Sequence, residues 1–86
     1  MAIEITTQDW VEIENLTADK TYTLQAKTKT GNNEYKPIDI LFTQASQEPT
    51  NDADSFIGDA FKFKKGTRNV YIKTKATPIT IHVEES

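Results

Sequence analysis

Three stretches decide the fold of this chain: Ala60-Phe61-Lys62-Phe63-Lys64, Val70-Tyr71-Ile72-Lys73-Thr74-Lys75 and Ile79-Thr80-Ile81-His82-Val83. In each of them apolar and polar residues alternate with a period of two, the pattern of an antiparallel strand with one buried face and one face in water. No comparable run shows the 3.6-residue period of an amphipathic helix. The sequence therefore predicts an all-β domain.

The same alternation predicts further strands upstream, at Ile3–Ile5, Trp10–Leu16, Tyr22–Ala26 and Ile38–Thr43. Lys29–Glu34 contains Gly and Asn, which tolerate positive φ, so we expect a hairpin turn there, with the strand that follows pairing with the one before. Residues 44–55 show no strand pattern, and a loop of about a dozen residues is a place to look for function.

Short alternating strands separated by turn residues are typical of β-sandwiches and small barrels. We predict that residues 1–86 form a single domain, an antiparallel β-sandwich or small flattened barrel of about six or seven short strands. The predicted core consists of these inward residues: Ile5, Val11, Ile13, Leu16, Tyr22, Leu24, Ile38, Ile40, Phe42, Phe61, Phe63, Val70, Ile72, Ile79, Ile81 and Val83.

The composition limits what so small a domain can do. A chain of 86 residues leaves no room for a deep active-site cavity beside its core, and self-association is a common way to bury more surface. It has no cysteine, so it can form neither a disulfide framework nor a thiolate metal site, which favours a reducing compartment. The amino terminus lacks the features of a signal peptide and no stretch is apolar enough for a membrane helix, so we expect neither export nor membrane contact.

Charge is distributed unevenly along the chain. Residues 1–59 carry 4 basic and 11 acidic side chains, whereas residues 60–86 carry 6 basic and 2 acidic ones, which gives −7 and +4 and a net charge of −3. An acidic amino-terminal region of one copy could therefore meet the basic carboxy-terminal region of the next in a head-to-tail ring.

Catalytic chemistry has little support in the sequence. The only histidine, His82, falls on the outward side of the last strand, and no phosphate loop, serine elbow or metalloprotease motif is present. Asp52, Asp54 and Asp59 with Asn51 could offer oxygens to calcium, but they do not follow the EF-hand spacing, and a solvated acidic loop is the better interpretation. We expect no enzyme activity, no cofactor and no metal.

Two kinds of ligand remain as alternatives. Basic residues interleaved with the aromatic Tyr71 could hold single-stranded nucleic acid, although the net charge opposes this and outward lysines also protect sheet edges from aggregation. Trp10, Tyr22, Tyr35 and Tyr71 could stack on sugars, with Tyr35 expected to be exposed and the others packed. The candidate binding residues are Tyr71, Lys73, Lys75, Lys62, Lys64, Arg68, Asp52 and Asp54.

Two segments of the chain resemble small β-sandwich proteins encoded among the structural genes of tailed bacteriophages. They are Trp-Val-Glu-Ile-Glu-Asn-Leu-Thr-Ala-Asp-Lys-Thr-Tyr-Thr-Leu at 10–24 and Phe-Lys-Phe-Lys-Lys-Gly-Thr-Arg-Asn-Val-Tyr-Ile-Lys at 61–73. These are packing and turn signatures, so no catalytic residue is carried over.

The resemblance implies a non-enzymatic virion-associated structural or assembly protein, such as a decoration, tail or fibre-associated component. Its expected partners are further copies of itself, in a homo-oligomer, and other virion proteins, without nucleic acid or membrane. It would be found in the host cytoplasm during assembly and then in the virion. The alternative is a small recognition module for carbohydrate or single-stranded nucleic acid that uses residues 44–59 or the face that carries Tyr71.

Overall fold

The protein is an all-β sandwich, described by a computed structural model that covers residues Met1–Ser86. It contains no helix and nine strands, so the predicted fold class is confirmed, with more strands than the six or seven expected. The strands are β1 (Ala2–Ile5), β2 (Val11–Ile13), β3 (Thr21–Lys29), β4 (Tyr35–Pro37), β5 (Ile40–Ala45), β6 (Phe56–Gly58), β7 (Ala60–Lys64), β8 (Asn69–Lys73) and β9 (Ile79–Glu85).

Two antiparallel sheets make up the sandwich. Sheet A has the order β1-β9-β3-β4, and β7 also pairs with β3. The long strand β3 pairs with two short strands on the side opposite β9. Strand β7 pairs with its first part, Thr21–Gln25, and β4 pairs with its last part, Lys27–Lys29. Sheet B has the order β2-β8-β5-β6.

The chain changes sheet between several consecutive strands, and Asp59 makes one of these crossings. Asp59 separates β6 in sheet B from β7 in sheet A. Its carbonyl oxygen accepts hydrogen bonds from the backbone nitrogen of Ala26 at 2.8 Å and from the side-chain nitrogen of Gln25 at 2.9 Å. The centre of sheet A therefore fixes the position at which the chain leaves sheet B.

The core lies between the two sheets. Phe42 of sheet B stacks on Phe61 with ring centroids 4.6 Å apart and lies 5.1 Å from Phe63, so aromatic rings join the sheets. The buried cluster consists of Ile5, Ile13, Tyr22, Leu24, Ala26, Ile40, Phe42, Phe63, Val70, Ile72, Ile79, Ile81 and Val83. The predicted core is confirmed, because every residue expected there either belongs to this cluster or packs against it.

The hairpin after β3 differs from the prediction in its second strand. Asn33, and not Gly31, takes the left-handed conformation of the turn, with φ at 60°. The short strand β4 then occupies the edge beside β3, and the expected pairing of Ile38–Thr43 with β3 is wrong. The ladder ends at Ala26, which accepts a hydrogen bond from the backbone nitrogen of Ile38 at 3.1 Å but donates its own N–H to the carbonyl of Asp59, and the chain then crosses to sheet B, where β5 pairs with β6 and β8.

Candidate functional site

An open cleft lies where the loop Ser46–Ser55, here the 46–55 loop, meets β5 and the segment before β2. Its volume is about 670 Å³. Trp10 and Phe56 contribute aromatic rings to its wall, Arg68 contributes a cation, and the rest comes mainly from the carboxyl end of β5 and the loop itself. The cleft lies at one end of sheet B, beside the middle loop in which the sequence analysis looked for function.

Hydrogen bonds give the 46–55 loop a folded shape. Oδ1 of Asn51 accepts a hydrogen bond from the backbone nitrogen of Ala53 at 2.9 Å, and the hydroxyl of Ser55 donates one to the carbonyl of Asp52 at 2.6 Å. The hydroxyl of Thr43 on β5 reaches the carbonyl of Asp54 at 3.4 Å. The loop is therefore closed by its own polar groups and tied to the outer face of sheet B.

Lys73 is the second tie between the loop and sheet B. Its Nζ lies 3.0 Å from Oδ1 of Asp52 and 5.9 Å from the centre of the Trp10 ring, within the range of a cation–π contact. Trp10 comes to this position because Val11, the next residue, pairs with Ile72. Lys73 and Asp52, two of the predicted ligand-binding residues, thus bind each other, and Lys73 also contacts Trp10, which lines the cleft.

Tyr71 does not have the exposure that its role as a candidate binding residue would require. Its neighbours across the ladder are Glu12 and Thr43, on the outer face of sheet B, yet it is only 5% exposed. The loop contacts to Thr43 and Lys73 lie on either side of it, so the 46–55 loop explains the burial. An aromatic ring buried in this way cannot stack on a base or a sugar. Tyr35, by contrast, is 53% exposed, as expected.

The predicted basic surface is divided between the two sheets. Lys62 and Lys64 lie on β7, opposite Thr23 and Thr21 of sheet A, whereas Lys73 lies on β8 of sheet B. Lys75 lines a second, smaller cavity of about 320 Å³, and Arg68 lines the cleft together with Asp54. These cations therefore do not form one continuous face, because β7 and β8 belong to different sheets even though only a short turn separates them.

His82 forms a surface pair with Glu84 on β9. Nε2 of His82 lies 2.8 Å from Oε1 of Glu84, and both side chains are largely in solvent. The hydrogen bond from His82, together with its charge, lowers the pKa of the Glu84 carboxyl. The acidic residues of the 46–55 loop do not converge, and no group of three or more metal-ligating side chains is present.

Strand β6 forms an apolar edge that the sequence analysis missed. Phe56 is 68% exposed and Ile57 is 74% exposed, although both belong to a strand that pairs only with β5. Ile57 also lines the smaller cavity, beside Leu41. The sequence did contain a sign of this edge, because Phe56 and Ile57 are adjacent large apolar residues. Neighbouring side chains of a strand point to opposite faces, so one of the two must point away from the core.

Comparison of the chain with protein-family models, with curated proteins and with solved structures gave no match. The structure also holds no helix with the length and apolar character needed to cross a membrane.

Proposed function

We propose that this chain is a non-enzymatic structural or assembly protein, and that it associates with a second copy of itself through strand β6. One observation carries the proposal: β6 is an edge strand without a charged residue, and its two large apolar side chains, Phe56 and Ile57, are 68% and 74% exposed. An exposed edge of this kind is a template for pairing with another chain.

The other edges of the two sheets carry the charges that normally prevent such pairing. Glu4 lies on β1, Glu12 on β2 and Lys36 on β4, while β7 carries Lys62 and Lys64. Like charges placed opposite each other destabilise a strand pair, so self-pairing of any of these edges is disfavoured. Strand β6 lacks this protection.

A second copy is the partner that suits the β6 edge best. Antiparallel strands can pair about a two-fold axis, which brings the same surface of both copies together, and closed two-fold dimers are the commonest oligomers. The Phe56-Ile57-Gly58 strand is uncharged, so when it pairs with β6 of a second copy no like charges lie opposite each other within the strand. Such a contact would join two four-stranded sheets and remove Ile57 from water beside Leu41.

The association proposed here depends on apolar contact between β6 strands, and not on the electrostatic attraction that the head-to-tail ring required. The head-to-tail ring required a basic carboxy-terminal surface, but Lys62 and Lys64 lie on sheet A and Lys73 on sheet B, paired with Asp52. We therefore expect the association to persist when the salt concentration is raised, because burial of apolar area is not screened by ions.

The resemblance to small phage β-sandwich proteins suggests where such an assembly would act. A decoration, tail or fibre-associated component would meet other virion proteins, and it would be found in the host cytoplasm during assembly and in the particle afterwards. This placement within a virion is the part of the proposal that rests on the resemblance.

Light scattering coupled to size-exclusion chromatography tests the contact. The wild type is compared with the double variant Phe56→Thr/Ile57→Thr and with Tyr35→Thr, which removes an exposed aromatic side chain from the charged edge strand β4. We expect a dimer, or a larger assembly built from it, for the wild type and for Tyr35→Thr at low and high salt, and a monomer for the double variant. A monomeric wild type, or a double variant with the wild-type mass, would overturn the proposal.

A further inference from the structure

We propose that the cleft beneath the 46–55 loop binds a neutral oligosaccharide. Phe56 belongs both to the cleft and to the β6 edge, but this inference does not depend on association through β6, because it rests on different chemistry and on Trp10, Gln44 and Gln47, which lie outside that strand. The volume of the cleft, about 670 Å³, falls within the roughly 300–1,000 Å³ of small-molecule sites, and the cleft opens to solvent, which suits a ligand that extends beyond it.

The walls of the cleft match the two kinds of surface that a sugar presents. Trp10 and Phe56 supply aromatic rings, on which the C–H face of a pyranose can pack. Gln44 and Gln47 supply side-chain amides, each of which both donates and accepts hydrogen bonds, as sugar hydroxyls do. Serine and threonine hydroxyls of the loop add further groups of the same kind.

The charges around the cleft favour an uncharged ligand. Arg68 is the only cation among the lining residues, and Glu48 and Asp54 are both acidic, which leaves one negative charge in excess. A nucleic acid gains most of its affinity from cations that neutralise its phosphates, so this cleft lacks the main requirement for one. An acidic polysaccharide is disfavoured for the same reason.

Contacts within the protein itself hold the 46–55 loop in its folded shape. The Lys73–Asp52 pair and the hydrogen bonds of Asn51 and Ser55 hold its backbone against sheet B. A site that is formed before binding does not lose loop entropy when the ligand enters, and this raises affinity.

Tryptophan fluorescence is a direct test, because Trp10 is the only tryptophan of the chain and lines the cleft. Linear oligosaccharides of glucose, of galactose and of N-acetylglucosamine are titrated at millimolar concentrations, beside oligogalacturonate and a single-stranded oligonucleotide. We expect a saturable change with at least one neutral oligosaccharide, little affected by salt, and none with the two polyanions.

Variants separate this site from the β6 edge. Gln44→Ala/Gln47→Ala removes hydrogen-bonding groups from the cleft, and we expect affinity for the bound sugar to fall about tenfold. Ile57→Thr alters β6 outside the cleft, and Lys62→Ala alters sheet A, so both should bind as the wild type does. If no neutral oligosaccharide binds, if only a polyanion binds, or if the glutamine variant retains full affinity, the proposal is overturned, whatever the oligomeric state.

Discussion

The ammonium nitrogen of Lys73 lies 3.0 Å from Oδ1 of Asp52, which ties the 46–55 loop to the outer face of sheet B. The same nitrogen lies over the ring of Trp10, so one side chain connects the loop to the aromatic wall of the cleft. Both partners are partly in water, and an ion pair of this kind contributes no more than about 1 kcal/mol to global stability. Its main consequence is local, because it fixes the position of the loop.

Asp52→Asn should loosen the 46–55 loop while leaving the fold intact. Loss of the carboxylate charge weakens the bond to Lys73, so backbone amides of the loop should exchange hydrogen faster, and the free energy of unfolding should fall by no more than about 1 kcal/mol. Hydrogen exchange followed by mass spectrometry measures this. The control is Asp54→Asn, whose carboxylate makes no ion pair. Equal exchange in both variants would contradict the assigned role.

Leu24→Ala should destabilise the whole domain. Leu24 is fully buried in β3 between β7 and β9, so removal of its side chain leaves a cavity and should cost about 2–5 kcal/mol, measured by urea denaturation. Thr67→Ala in the exposed turn before β8 serves as control, with an expected change within about 0.5 kcal/mol. Similar midpoints for the two variants would show that β3 is not the centre of the core.

Tyr22→Phe tests a hydrogen bond at the edge of the core. The hydroxyl of Tyr22 accepts a hydrogen bond from the backbone nitrogen of Thr17 at 2.7 Å, so its removal should cost about 1 kcal/mol. Tyr35→Phe removes an exposed hydroxyl and should leave stability unchanged. The free energy of unfolding in urea distinguishes the two, and no loss in Tyr22→Phe would mean that water replaces the bond without cost.

The pKa of Glu84 should rise when His82 is replaced. His82 lowers the pKa of this carboxyl in the folded protein, so the pair favours folding at pH above the ordinary glutamate pKa, and its contribution is lost as pH falls through the lowered pKa. Titration of the Glu84 side chain by NMR, in the wild type and in His82→Gln, measures the shift. If both proteins give the same pKa, the pair does not form in solution.

The hydrophobic pattern was sufficient to find the core, because it depends only on the local geometry of each strand. Leu24, Ile72 and Ile81 were all predicted as inward residues and all lie in the buried cluster. Successive side chains of an extended chain point to opposite faces whichever strand lies beside them, so a period of two identifies the buried side without knowledge of the topology.

The site was only partly predictable, since it depends on what covers each face. The length of the unpatterned segment after β5 marked it as a place to look for function, and in the structure it forms a wall of the cleft. Tyr71 has the outward position that its period assigns, yet it is buried, since a loop twenty residues earlier in the chain lies over it. Alternation specifies the direction of a side chain but not what is found in that direction.

The sequence by itself determined that the chain is all β, which residues are inward and where its long loop lies, because these follow from local backbone geometry and turn chemistry. Only the tertiary structure decided that Lys62 and Lys73 lie on different sheets, that Asp52 pairs with Lys73 and that Phe56 and Ile57 remain exposed. These relationships depend on contacts between residues far apart in the chain, and one period-two segment carries no information about which other segment it will pair with.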